Sequence, residues 1–213
     1  RYSVYIGKIA KKRQDLRAAG IYMTKQASRF KLGRNSTSLV LVFGIFAAAG
    51  SAVAQSPDYK SPSPAFTEAL TAFDAAWTAD GLAFSSVTFT DGPGSGYGKY
   101  TATDNNVFSA GETIALYAEP VGYAFDQSQD GYTYKLAASY RLINTSGQVL
   151  SEQSDFAEFT GTTRSKQRQL SASLSFQFDG LPEGDYELEA TFADQIGNQT
   201  AGFKLPFTIQ AAN

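Results

Sequence analysis

The chain carries 20 carboxylates but no histidine and no cysteine, and that inventory decides which chemistry is open to it. Without imidazole, the commonest general base and metal ligand is missing. Without thiols, cysteine nucleophiles, disulfides and thiolate metal sites are excluded. Two hydrolytic routes need neither group. A carboxylate pair can cleave a glycosidic bond, and Glu112, Glu119, Glu152, Glu158, Glu187 and Glu189 are available for it. A lysine can activate a serine, with Lys99, Lys135, Lys166 and Lys204 as candidates. Neither pattern is convincing. Glu187 and Glu189 alternate with Tyr186 and Leu188, which is how a solvated strand face reads. The lysines lie in polar or alternating stretches, where a solvated ammonium is the ordinary state. No Gly-x-Ser-x-Gly nucleophile motif occurs. The expectation is a non-enzymatic protein without catalytic residues or cofactor.

The glycine-rich run Gly92 to Gly98 invites comparison with a phosphate cradle. It lacks the Lys-Ser/Thr of a P-loop, contains Pro93, and leads into Tyr100-Thr-Ala-Thr rather than a helix. It reads as a mobile loop. Calcium is the one metal an oxygen-only inventory favours. Asp104 with Asn105 and Asn106, Asp126 with Asp130, and Asp194 with Asn198 are loose oxygen clusters. None has EF-hand spacing, and turns use the same residues, so no metal ligands are assigned.

Tyrosine is the most suggestive residue type. Tyr97, Tyr100, Tyr117, Tyr123, Tyr132, Tyr134 and Tyr140 crowd one part of the chain. Tyr132, Tyr134 and Tyr140 share a strand face with Leu136 and Leu142 and read as core. Tyr97, Tyr100 and Tyr123 lie beside glycine-rich loops, where aromatic rings give flat, amphipathic area for a protein or glycan partner. They are the candidate binding residues.

The elements that position these residues follow a change of character along the chain. Residues 1–54 hold ten of the 18 bases and a single acid, Asp15. The remaining 8 bases face 19 acids, a net charge of −11. The basic part has the order of a secretory signal peptide. Lys25, Arg29, Lys31 and Arg34 follow Met23, an apolar run Leu39 to Phe46 comes next, and Ala52-Val53-Ala54 precedes Gln55. The apolar core is short for a membrane-spanning helix. Residues 23–54 are therefore read as a cleavable signal peptide, with cleavage near Ala54–Gln55. Residues 1–22 are read as an upstream extension or a long basic n-region. Export to the periplasm or beyond the cell is expected, with no stable membrane insertion after cleavage. Net acidity of the mature part argues against nucleic acid as a partner.

Residues 55–63 form a Pro/Ser linker. Residues 64–80 are predicted as one short amphipathic helix: Ser63 can cap it, Pro64 suits its first position, and Gly81 can end it. Phe66, Leu70, Phe73 and Trp77 make a stripe at helical spacing. That stripe predicts a helix packed on its own domain, the alternative being a partner-binding helix. From residue 83 the period becomes two. Runs near residues 84–90, 113–118, 132–143, 170–178, 186–192 and 203–209, with shorter segments at 148–150 and 156–159, give about eight strands with no intervening helix.

Leu181-Pro-Glu-Gly-Asp-Tyr186 looks like the tyrosine corner of immunoglobulin-like and fibronectin-III-like domains. Asp194 to Asn198, followed by Leu205-Pro-Phe-Thr-Ile209, resembles the final hairpin of exported bacterial sandwich domains. The run Ser109 to Tyr117 resembles an early strand of the same class. The resemblance covers residues 83–209 and implies a mainly β fold, a single antiparallel immunoglobulin-like β-sandwich, with Tyr186 as its structural tyrosine. It implies no activity. The expected function is an exported module binding a protein or glycan. A structural or assembly domain pairing through an edge strand is the alternative, and a histidine-free hydrolase ranks third.

Overall fold

The computed structural model describes residues 58–211. The expected signal peptide and the extension before it lie outside the described residues, as do residues 55–57 of the expected linker. The described chain is mainly β, with one helix and two sheets.

Helix α1 spans Pro64–Asp80. Ser63 starts it, with its side chain accepting from the Phe66 N–H at 3.2 Å, and Gly81 (φ 73°) ends it. No α1 residue is fully buried. Trp77 turns onto the domain, whereas Phe66, Leu70 and Phe73 stay 54%, 48% and 49% exposed. The expectation that the whole stripe packs on its own domain is thus corrected. Only its C-terminal half docks, through Trp77 on Tyr123 and Asp74 on Arg168.

Nine strands follow: β1 (Ala83–Thr90), β2 (Val107–Ser109), β3 (Thr113–Val121), β4 (Asp126–Ser128), β5 (Gly131–Asn144), β6 (Val149–Thr163), β7 (Ala172–Gln177), β8 (Gly184–Asp194) and β9 (Gln199–Gln210). One sheet has the order β1-β3-β7. The other runs β2-β9-β8-β5-β4, with β6 also pairing β5. All pairs are antiparallel except β2, which runs parallel to β9. There Thr208 N–H donates to Asn106 O at 2.9 Å, and the Asn106 amide donates to Pro206 O at 2.7 Å. The antiparallel expectation is corrected by this short segment, which enters beside β9 in the same direction.

Strand β6 is a second difference. Two short segments were expected, but a single strand joins them. The register against β5 slips between Ala138/Ala157 and Tyr140/Gln153, and Asp155 adopts φ 48° within the slip. Four steps along β6 match two along β5 here, and the extra residues interrupt the pairing, so a period-two pattern breaks while the strand continues.

One core joins the sheets. Leu116 and Phe176 of the first and Leu136, Leu142, Leu188 and Phe192 of the second are fully buried, within one apolar cluster. Aromatic edges span the gap, such as Phe84–Phe192 at 5.2 Å and Tyr140–Phe176 at 5.2 Å. Offset and edge-on ring pairs of this kind add to the area they bury.

Candidate functional site

A cleft of about 550 Å³ opens between α1 and the outer side of the β1/β3 strand pair. Phe73 and Trp77 of α1 form one wall, Ser85 and Val121 the floor, and Tyr97 and Arg168 the rim. Each part is held by identifiable local chemistry.

Trp77 is the anchor. Its Nε1–H donates to Tyr123 O at 2.8 Å, and its ring meets Tyr123 edge-on at 5.2 Å. Gly122 makes that approach possible. It sits at φ 74°, and a Cβ there would lie 1.7 Å from Gly81 O, so only glycine lets the α1–β1 turn lie against the end of β3. Arg168 closes the rim from the segment after β6. Its guanidinium lies 5.1 Å from the Phe73 ring and 5.4 Å from the Trp77 ring, and it pairs with Asp74. Lys166 Nζ lies 3.5 Å from the same carboxylate. Arg168 Nε is buried and has no hydrogen-bond partner.

Tyr97 stands on the glycine-rich loop, which is pinned rather than free. Gly94 N–H donates to Ser173 Oγ at 3.0 Å, and Gly98 N–H donates to Tyr117 Oη at 2.7 Å. A Cβ on Gly94 would meet the Tyr117 ring at 2.7 Å. The mobile-loop expectation is corrected: glycine here serves close packing over Tyr117. Beneath the loop, Tyr117 Oη donates to Glu119 Oε1 at 2.7 Å, and Ser85 Oγ donates to Glu119 Oε2 at 3.1 Å. Burial, reinforced by the Glu119 carboxylate, pushes the Tyr117 phenol up to about 12. Glu119 is thus a satisfied clamp holding loop to sheet.

The four tyrosines singled out from the sequence part company. Tyr97 lines the cleft and is 38% exposed. Tyr100 is exposed on the same loop, stacked on Tyr117 at 4.1 Å, and does not line the cleft. Tyr123 is fully buried and cannot meet a partner in this conformation. It supports Trp77 from below, and burial raises its phenol pKa. Tyr186 Oη donates to Pro182 O at 2.8 Å, fixing the corner before β8. The sequence carried Phe73 and Trp77 only in its alternative reading, a partner-binding helix, and Arg168 was missed. A signal existed in the bases Arg164, Lys166 and Arg168, which follow one another at every second position.

Of the carboxylates considered for hydrolysis, Glu187 and Glu189 are held in ion pairs. Glu189 lies 2.9 Å from Arg141 and also pairs with Lys204, which reaches Glu187 at 2.9 Å. The Lys204 hydrogen bond holds Glu189 below its ordinary pKa, the reverse of what a general acid requires. Asp194 is buried and accepts from the N–H groups of Ala124 (2.7 Å) and Ile196 (2.9 Å). Among the described residues no three acidic side chains gather into a metal-binding group.

No protein-family model and no curated protein matches the chain. Among solved structures, a similar one is the Pseudomonas fluorescens alkylpurine DNA glycosylase AlkC bound to DNA containing an abasic site analog. The identity is 11%, the TM-score 0.35, and the match covers 61% of this chain. The chain spans 30% of that protein's length. That structure holds DNA, and the exclusion of nucleic acid made from net charge is corrected. The exclusion fails physically because charge is felt locally. Arg164, Lys166 and Arg168 form a basic strap on an otherwise acidic domain. At this TM-score the likeness itself assigns no partner.

Proposed function

We propose that the protein is an exported, non-enzymatic β-domain that captures an apolar segment of a partner protein in the α1 cleft. The observation that carries this is the continuity of one apolar surface. Phe73 and Trp77 line the cleft, and Leu70 and Phe66 extend the same stripe beyond it, about half exposed. From Phe66 to Trp77 the stripe runs ~16 Å at the helical rise. That is longer than a small ligand needs and suits a peptide segment. The lining is mostly carbon, which favours apolar side chains over a polyol.

Export is supported by the sequence alone, through the basic, apolar and Ala-x-Ala order before Gln55. An immunoglobulin-like architecture is supported by the division of strands: β1, β3 and β7 in one sheet, β9, β8, β5 and β6 in the other. The Tyr186 bond at the β7–β8 corner supports it as well.

Trp77 is the only tryptophan in the sequence, so occupation of the cleft is read directly from its fluorescence. Partners are captured from a cell-envelope extract, purified, and titrated against the wild type and Phe73→Ser. The expected result is a shifted Trp77 emission and affinity at least about tenfold weaker for the variant. A partner that binds both equally, or leaves the emission unchanged, overturns the cleft. Capture of glycan alone overturns the choice of a protein partner.

A further inference from the structure

The longest strand among the described residues, β6, is also an edge. Strand β6 pairs β5 along one side, and no described strand pairs its other side. The bulge at Asp155 divides it. Beyond the bulge, the register against β5 is regular from Ala157 (opposite Ala138) to Thr163 (opposite Tyr132). These seven residues extend ~23 Å and present a row of backbone donors and acceptors with no strand partner.

The side chains along this stretch specify what can pair there. Opposite the core residues Leu136 and Ala138 stand Phe159 and Ala157, which therefore face inward. Phe159 is only half-buried and stacks on Phe192 at 5.8 Å, so an apolar residue on an added strand would complete its cover. Gly161 lies under the Tyr134 ring, where a Cβ would be 2.8 Å from Tyr134 Oη. Glu158, Thr160 and Thr162 point outward and are exposed. Across its whole length β6 carries Glu152, Asp155 and Glu158 and no base. Pairing with the same edge of a second copy would set these acids against each other, and like charges across a strand pair are destabilising. The bulge further interrupts self-pairing.

We propose that the Ala157 to Thr163 edge of β6 is an acceptor for an extended strand of another protein, alternating apolar residues inward with Lys or Arg outward. The strand adds to the second sheet beyond β6 through main-chain hydrogen bonds, and Glu158 selects its charge. None of residues 157–163 lines the cleft, and the proposal does not depend on the function proposed for it.

The probe is a capped nine-residue peptide alternating Lys and Val, titrated against the full chain and followed by hydrogen exchange. A second peptide is methylated on alternate backbone nitrogens, and a third carries Glu in place of Lys. The expected result is slowed exchange confined to residues 157–163 with the first peptide and at least about tenfold weaker binding of the methylated one. Glu158→Lys, which leaves the fold's hydrogen bonds untouched, should reverse the preference between the Lys and Glu peptides. Equal binding of the methylated peptide, protection at the cleft instead of β6, an unchanged preference in Glu158→Lys, or no binding at millimolar peptide would each overturn the proposal.

Discussion

The buried Tyr117–Glu119 pair shows how a single contact sets both a loop position and a pH limit. The phenol donates to the carboxylate and accepts from Gly98 N–H. Removing it in Tyr117→Phe should cost about 1–3 kcal/mol at neutral pH, the usual cost of leaving buried polar partners unmatched. Urea unfolding reads that loss. The same residue governs alkaline behaviour. Its folded pKa is raised from 10.0 to about 12, so the fold favours the neutral phenol. Its contribution is complete below pH 10 and is lost as pH rises towards 12. The variant should therefore show a shallower decline of stability across that window, and an unchanged slope would sink the assignment. On the opposite surface the sign reverses. Glu189 is held below its ordinary value of 4.5 by Lys204 and then Arg141. Its contribution is present above that value and lost as pH falls through the lower, folded one. Lys204→Met should flatten the acid limb of a stability–pH curve, and should also remove the alkaline loss that comes from Lys204 itself, whose ammonium Glu189 and Glu187 hold above its ordinary pKa.

Helix α1 is held by the side chains of its last turns rather than by a buried face. Trp77 is only partly buried, so Trp77→Ala should cost about 1–2 kcal/mol, less than the ~3–5 typical of a core tryptophan. Its clearer signature is local. Amide exchange across residues 64–80 should accelerate strongly, while β3 keeps its protection; uniform acceleration would mean that α1 belongs to the core. The ends of this helix were legible in the sequence, because Ser63, Pro64 and Gly81 act through neighbouring backbone. The use of its stripe was not. Helical spacing reports that four apolar residues share a face, not how far the domain extends beneath them. The strands show the same division. The runs that became β5, β7, β8 and β9 alternate because one side faces the core. The bulge in β6 and the parallel β2 depend on partners distant in sequence. At the site, Tyr97 could be found from its loop, but Tyr123 could not be known to lie under Trp77, 46 residues earlier.

On the scale of the whole molecule, cohesion is unevenly distributed. With no cysteine in the chain, no disulfide ties its parts together, and stability rests on packing. That packing is concentrated between the sheets, where one cluster takes residues from both. The helix contributes no fully buried residue and is attached by Trp77, Asp74 and their partners. Ion pairs this open to solvent contribute little. The attachment should therefore open at a lower free energy than the two packed sheets, as local units with few buried contacts do. The lone tryptophan makes the two events separable. In a urea titration its emission reports α1 leaving Tyr123, whereas far-ultraviolet circular dichroism is dominated by the strands. The fluorescence midpoint should precede the dichroism midpoint, and a purified cleft partner should draw the two together by binding only the docked form. Coincident midpoints in the free protein would mean that helix and sheets unfold as one unit. The exposed stripe would then belong to a rigid platform rather than to an arm able to adjust to what it binds.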